Sequence, residues 1–137
     1  MASAFDINVI EEESVENLVY EGIEGGFQFR IRFTAYRGSH LSCIESFQLK
    51  LDGKEVNKAQ IRFCLNGKEF LIDQLKDLYQ EYWFIQNSAI IKVMNGEALR
   101  GTHQIDVRYS FRIPYTGYFG SYMVQEGIGS RSVNICA

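Results

Sequence analysis

Residues 27–34 alternate strictly, with Phe27, Phe29, Ile31 and Phe33 on one parity and Gln28, Arg30, Arg32 and Thr34 on the other. A period of two places each set on its own side of an extended chain, whereas a helix would scatter the four apolar residues around its axis. One face must therefore be dry and the other wet, which is the signature of a strand in an antiparallel sheet. The same parity returns in Phe47, Leu49 and Leu51, in Ile61, Phe63 and Leu65, and in Ile105, Val107, Tyr109, Phe111 and Ile113.

The punctuation between these runs is that of tight turns. Asp52-Gly53 and Asn66-Gly67 end the second and third runs, and both dipeptides accept the positive φ angles of a two-residue hairpin. Their succession predicts a meander. Gly101 opens the last long strand, and Pro114 ends it by removing an amide donor. A first strand is expected at residues 15–20 and an apolar one at residues 89–94, followed by a turn at Asn95-Gly96. Ile72, Leu75 and Leu78 recur at three-residue spacing, which suits one or two helical turns serving as a connector.

The reading is an all-β chain of about six or seven strands, folded as a two-sheet antiparallel β-sandwich with one short helical connector. Ten Phe and eight Tyr, added to many Ile and Val, favour pleated structure. The 137 residues fit a single domain, 1–137, which can bury roughly two-thirds of its unfolded surface without help from disulfides or metal. Residues 1–14 end in the run Glu11-Glu12-Glu13 and read as an acidic, solvated lead-in. Residues 115–137, rich in glycine and aromatics at the start and without alternation, read as an aromatic loop and a C-terminal tail.

Charge and composition narrow the function classes. A net charge of −3 and the lack of any Lys or Arg block speak against nucleic acid as a partner. No apolar run approaches the roughly 20 residues that cross a bilayer, and the first residues do not resemble an export signal, so a cytoplasmic protein is expected. Cys43, Cys64 and Cys136 form an odd set without a CxxC pair, which fits free buried thiols better than a disulfide framework or a zinc site.

The catalytic inventory is thin. His40 and His103 are the only histidines, and no HxH, HExxH, GxSxG or phosphate-binding fingerprint accompanies them. Glu45, Asp52 and Glu55 lie around a turn, where solvated carboxylates are common. Two segments ask for more than packing. Residues 35–42 place Tyr36, Arg37, Gly38 and His40 at the end of a strong strand, and residues 115–123 gather Tyr115, Tyr118, Phe119, Tyr122 and Met123 around glycines. Aromatics beside arginine are the mix enriched at interface cores, so Tyr36, Arg37, His40, Tyr115, Tyr118, Phe119 and Tyr122 are the candidate partner-contact residues.

The order of Tyr36-Arg37-Gly38, Leu41-Ser42-Cys43-Ile44-Glu45, Asp52-Gly53-Lys54-Glu55-Val56, Ile61-Arg62-Phe63, Trp83, Gly101-Thr102-His103 and Arg112-Ile113-Pro114-Tyr115 resembles the small β subunit of bacterial C-glycoside deglycosidases, over residues 25–122. The resemblance implies one half of a heteromeric carbon–carbon lyase. Its α subunit would be a TIM barrel similar to sugar isomerases, holding a divalent metal, expected to be manganese, and the catalytic histidine. The implied substrate is a 3-oxo-C-glucoside of a flavonoid or other aromatic aglycone, cleaved by β-elimination after loss of the C2 proton. No catalytic residue, cofactor or metal ligand carries over to this chain. Two rivals remain open from the residues alone: a stand-alone carbohydrate-binding sandwich, and an independent hydrolase or isomerase using His40 or His103.

Overall fold

The computed structural model describes residues 9–11, 14–33, 38–113 and 123–135. Within them lie β1 (Glu16–Tyr20), β2 (Ile23–Ile31), β3 (Ser39–His40), β4 (Ile44–Leu51), β5 (Lys54–Glu55), β6 (Ile61–Leu65), β7 (Lys68–Leu71), β8 (Tyr82–Trp83), β9 (Ala89–Val93), β10 (Gly101–Ile113) and β11 (Met123–Ile135). One sheet has the order β1-β2-β9-β6-β7, a second the order β11-β10-β4-β5, and β3 and β8 form a two-stranded ribbon. Every pairing among them is antiparallel. The all-β sandwich expected from the sequence is the fold observed.

The alternation does what its period requires. Phe27, Phe29 and Ile31 of β2 are fully buried, as are Ile61 and Phe63 of β6 and Ala89, Ile91 and Val93 of β9. Phe47 and Leu49 of β4 and Ile105, Val107, Tyr109 and Phe111 of β10 oppose them in one continuous core. Aromatic contacts cross the gap between the sheets, with Phe47 edge-on to Phe63 at 6.1 Å between ring centroids. The helical connector appears as a 3-10 helix, Ile72–Asp77, with Ile72 and Leu75 buried.

The turns form as their residues demand, but they do not build a meander. Asp52 and Gly53 have φ of 52° and 83°, and Asn66 and Gly67 have 54° and 78°, the double positive φ of a two-residue hairpin. The first turn joins β4 only to the two-residue β5. The chain then crosses through the 3-10 turn Lys58–Gln60 into the other sheet, where β6 pairs with β7 and β9. Alternation marks which side of a strand is dry; it does not say which sheet supplies the neighbour.

Two further differences share one cause, the closing of the sandwich side. Val9 and Ile10, inside the expected lead-in, are fully buried. Ile10 bridges Ile31, the Arg32 amide donates to the Val9 carbonyl at 2.9 Å, and Arg131 Nε donates to the Ile10 carbonyl at 2.7 Å, so this segment ties β2 to β11. Much of the expected tail, residues 123–135, is strand β11, paired with β10 along its whole length. Its register places Gly127 opposite Tyr109 and Gly129 opposite Val107. Both glycines are buried, while Val124 and Ile128 on the other parity are exposed.

Apolar alternation is therefore absent from β11 because the aromatic ring of a neighbouring strand fills the inward space. A Cβ on Gly127 would stand 2.3 Å from the Tyr109 ring. That ring is held from the far side by its hydroxyl, which donates to the Arg32 carbonyl at 3.1 Å. Gly127→Ala should lower unfolding free energy by about 1–3 kcal/mol, the usual cost of overpacking a filled core. Urea denaturation measures it, and pairing the change with Tyr109→Leu should recover part of the loss.

Candidate functional site

The two histidines occupy opposite ends of the sandwich. His103 lies near the start of β10, beside the Asp52 turn, whereas Ile44, four residues after His40, pairs with Phe111 toward the other end. Eight residues of strand separate positions 103 and 111, roughly 26 Å at about 3.3 Å per residue. They cannot act on one substrate.

At the first end His103 is fully engaged. Nδ1 lies 2.7 Å from Asp52 Oδ2 and Nε2 lies 2.8 Å from the Arg100 carbonyl. Both neighbours are acceptors, so the imidazolium, which can donate from both nitrogens, is the favoured form. The hydrogen bond to Asp52 raises the His103 pKa above its ordinary 6.5 against a small burial effect, and the Arg100 carbonyl adds to the rise. The Asp52 carboxyl is lowered from 3.8, first by the Gln104 amide at 2.8 Å and then by His103. Asp52 is thus a turn carboxylate with a fixed partner rather than a freely solvated one.

The brace extends to the other sheet. Glu24 of β2 holds Arg100 through two bonds of 3.0 and 2.9 Å and accepts from the Ala98 amide, and its carboxyl is lowered chiefly by Arg100. Asn17 of β1 clamps the Leu99 backbone through both its amide and its carbonyl. The crossover from β9 to β10 is therefore pinned on both sides, which is a structural task.

The opposite end is aromatic. The exposed His40 ring meets Tyr82 edge-on at 5.0 Å, and Tyr82 packs against Phe84 at 4.6 Å. Phe84 is 55% exposed, Tyr79 70% and Ile85 46%. The backbone beneath is fixed: the Leu41 amide donates to the Glu81 carbonyl at 2.8 Å, Asn66 Nδ2 to the Tyr82 carbonyl at 3.2 Å, and the Trp83 indole to the Asn87 carbonyl at 2.8 Å. Gly38 lies against this segment, and a Cβ there would come 2.5 Å from the Trp83 carbonyl and 2.7 Å from the Tyr82 ring.

Of the candidate contact residues, His40 is placed in this patch. Tyr36, Arg37, Tyr115, Tyr118, Phe119 and Tyr122 lie outside the described residues. Leu41 and Ser42, the end of the candidate segment 35–42, instead form with Cys43 a buried 3-10 turn, because Leu41 enters the core and Arg112 Nη2 donates to the Ser42 carbonyl at 3.1 Å. Tyr79, Tyr82, Trp83 and Phe84 crowd together in the sequence, but nothing in their spacing assigns them a role. The missing signal was strand parity within β8, which turns Trp83 inward and Tyr82 outward.

The thiols divide as well. Cys43 is buried, whereas Cys64 is half-buried on the outer face of β6 between Lys92 and Glu69, and its pKa is raised, mainly by burial. Cys136 lies outside the described residues. Among the described residues no three His, Cys, Asp or Glu side chains converge as metal ligands would, and no helix is long and apolar enough to cross a membrane.

The brace predicts a pH dependence with a definite sign. His103 is raised in the folded chain, so its contribution is full below about 6.5 and is lost as pH rises through the folded value. Asp52 is lowered, so its contribution is full above about 3.8 and is lost as pH falls through the folded value. The stability gap between the native chain and His103→Gln should be widest between these limits and narrow toward pH 9, measured by denaturant unfolding at each pH.

Comparison with known proteins places these features in a family. The model of the C-glycoside deglycosidase beta subunit matches residues 5–115. A C-glycoside deglycosidase beta subunit from Eubacterium cellulosolvens is 28% identical over 126 residues, covering 87% of this chain and 83% of the relative. A 3′-dehydrocarminate deglycosidase beta subunit from a Microbacterium species is 30% identical over 92 residues, covering 67% of this chain and 70% of the relative. A further C-glycoside deglycosidase beta subunit, from Microbacterium trichothecenolyticum, is 32% identical over 85 residues, covering 62% of this chain and 65% of the relative. With the match spanning both the braced end and the aromatic end of the sandwich, the chain belongs to the family of C-glycoside deglycosidase beta subunits.

Proposed function

We propose that this chain is the cytoplasmic, non-catalytic β subunit of a heteromeric C-glycoside deglycosidase, bound to a metal-dependent TIM-barrel α subunit that cleaves 3-oxo-C-glucosides. The observation that carries the reading is the family match over residues 5–115, because a β subunit by description works with a partner chain. The relative named for a 3′-dehydrocarminate substrate supports an oxidised sugar as the form acted upon.

In this reading the reaction is a β-elimination. The 3-oxo group acidifies the C2 proton, a base of the α subunit removes it, and the electron pair reaches the bond between C1 and C2. The carbon–carbon bond to the aglycone breaks, its electrons leave with the aglycone, and the aglycone takes up a proton. A divalent metal in the α subunit, expected to be manganese, supplies electrophilic stabilisation of the enolate. This chain's part is to brace the mouth of the α-subunit site, with no residue touching the reacting atoms. The occupied ring of His103 agrees with that division, since both its nitrogens already serve the fold.

The test is reconstitution. The chain is purified alone, the α subunit alone, and the two together, and release of aglycone from a 3-oxo-C-glucoside is followed. Activity is expected only from the pair, lost with a chelator and restored by a divalent metal; equal activity from the α subunit alone would remove the proposed role. Glycan binding by this chain without a partner would favour the carbohydrate-module reading instead. Alanine at both Tyr118 and Phe119 should weaken co-purification with the α subunit, and an unchanged yield would take those two residues out of the contact.

A further inference from the structure

The geometry points to the patch of His40, Tyr82, Phe84, Ile85 and Tyr79 as a preformed docking surface for the α subunit, with Phe84 and Tyr79 as its anchors. The inference rests on the function proposed above and adds to it a surface made of residues 40 and 79–85.

Other apolar side chains are exposed, among them Ile23 at the β1–β2 turn and Ile128 on β11. Three features describe the patch, and the first sets it apart from Ile23 and Ile128. Three of its rings form a touching chain, with His40 on Tyr82 and Tyr82 on Phe84. Its backbone is already tied down on both sides, by the Leu41 amide to Glu81, the Ser42 amide to Leu78 and the Asn87 amide to Phe84. Its neighbours are charged and paired, with Lys68 Nζ 2.6 Å from Glu81 Oε1. Aromatic anchors inside a polar rim are the anatomy of an interface core, and a rigid backbone lowers the ordering cost of binding.

The occupant follows from the family. A β subunit has a partner chain, and the matched residues 5–115 contain every residue of the patch. Position agrees, because Gly38 lies flat against Tyr82 and Trp83, so the backbone entering β3 packs on the patch itself. The close approach accounts for glycine at 38, since any Cβ would push the chain off the Tyr82 ring.

The experiment measures affinity of the purified chain for the α subunit, by calorimetry or immobilised-partner binding. Variants are Phe84→Ala, Tyr79→Ala, and the pair Ile23→Ala and Ile128→Ala as controls at other exposed apolar sites. Phe84→Ala and Tyr79→Ala should each weaken binding about tenfold, with thermal unfolding near that of the native chain and the controls binding as the native chain does. Tyr79 carries the test if Phe84→Ala disturbs Tyr82. Native affinity in both patch variants, or an equal loss in the controls, would overturn the inference while leaving the subunit reading intact. Failure of the native chain to bind any α subunit would instead sink the subunit reading, and the inference with it. A self-associated form of the chain that Phe84→Ala dissociates, with α binding unchanged, would assign the patch to a second copy and overturn the proposal.

Discussion

Trp83 stands 4.8 Å from Phe33, 5.4 Å from Phe63 and 5.9 Å from Tyr109, so side chains of both sheets converge on one indole. The ribbon that supplies it has only two residue pairs, far short of what a hairpin needs to stand alone. Burying the indole, and donating its N–H to the Asn87 carbonyl, is what holds the ribbon in place. Alternation then does the rest. With Trp83 turned inward, Tyr82 and Phe84 must face outward, so the exposed aromatic patch is a by-product of the contact that closes the core.

Five strands were legible because their dry faces are made of their own side chains: Phe27, Phe29 and Ile31 in β2, Phe47 and Leu49 in β4, Ile61 and Phe63 in β6, Ala89, Ile91 and Val93 in β9, Ile105 to Phe111 in β10; β1 also forms where residues 15–20 predicted it. β11 was not, because its inward positions include Gly127 and Gly129 and the space they leave is taken by Tyr109. A pattern that looks for apolar residues in the strand itself cannot see a face filled from next door. Val9 and Ile10 were hidden for a related reason. Their burial depends on a bridge to Ile31 and a bond from Arg131, more than 120 positions away in the second case.

The candidate site divides the same way. The aromatics of residues 79–84 were visible as composition, but only the parity of β8 separates the core indole from the outward rings. Gly38 was visible as part of a motif, and its reason, a backbone laid against the Tyr82 ring, is tertiary. His103 follows suit. A lone histidine with no ligand or nucleophile nearby reads as structural, and it is, but its partner Asp52 lies 51 residues earlier, across a sheet pairing that local spacing does not encode.

The contrast between the two ends of the sandwich argues for which one meets a partner. At the His103 end the exposed polar groups are already matched, Arg100 with Glu24, Asn17 with Leu99, and Asp52 with His103 and Gln104, beside the exposed apolar Val19, Tyr20 and Ile23 of the β1–β2 turn. Covering that network would strip water from charges whose bonds are complete, a cost with no new bond in return. At the His40 end the exposed area is ring carbon, and each square ångström removed from water returns about 25 cal/mol. The polar network of one end resists being covered, whereas the touching rings of the other gain from it. The length of β10 keeps them roughly 26 Å apart at about 3.3 Å per residue, so the polar brace can stabilise the fold without competing for the proposed docking surface.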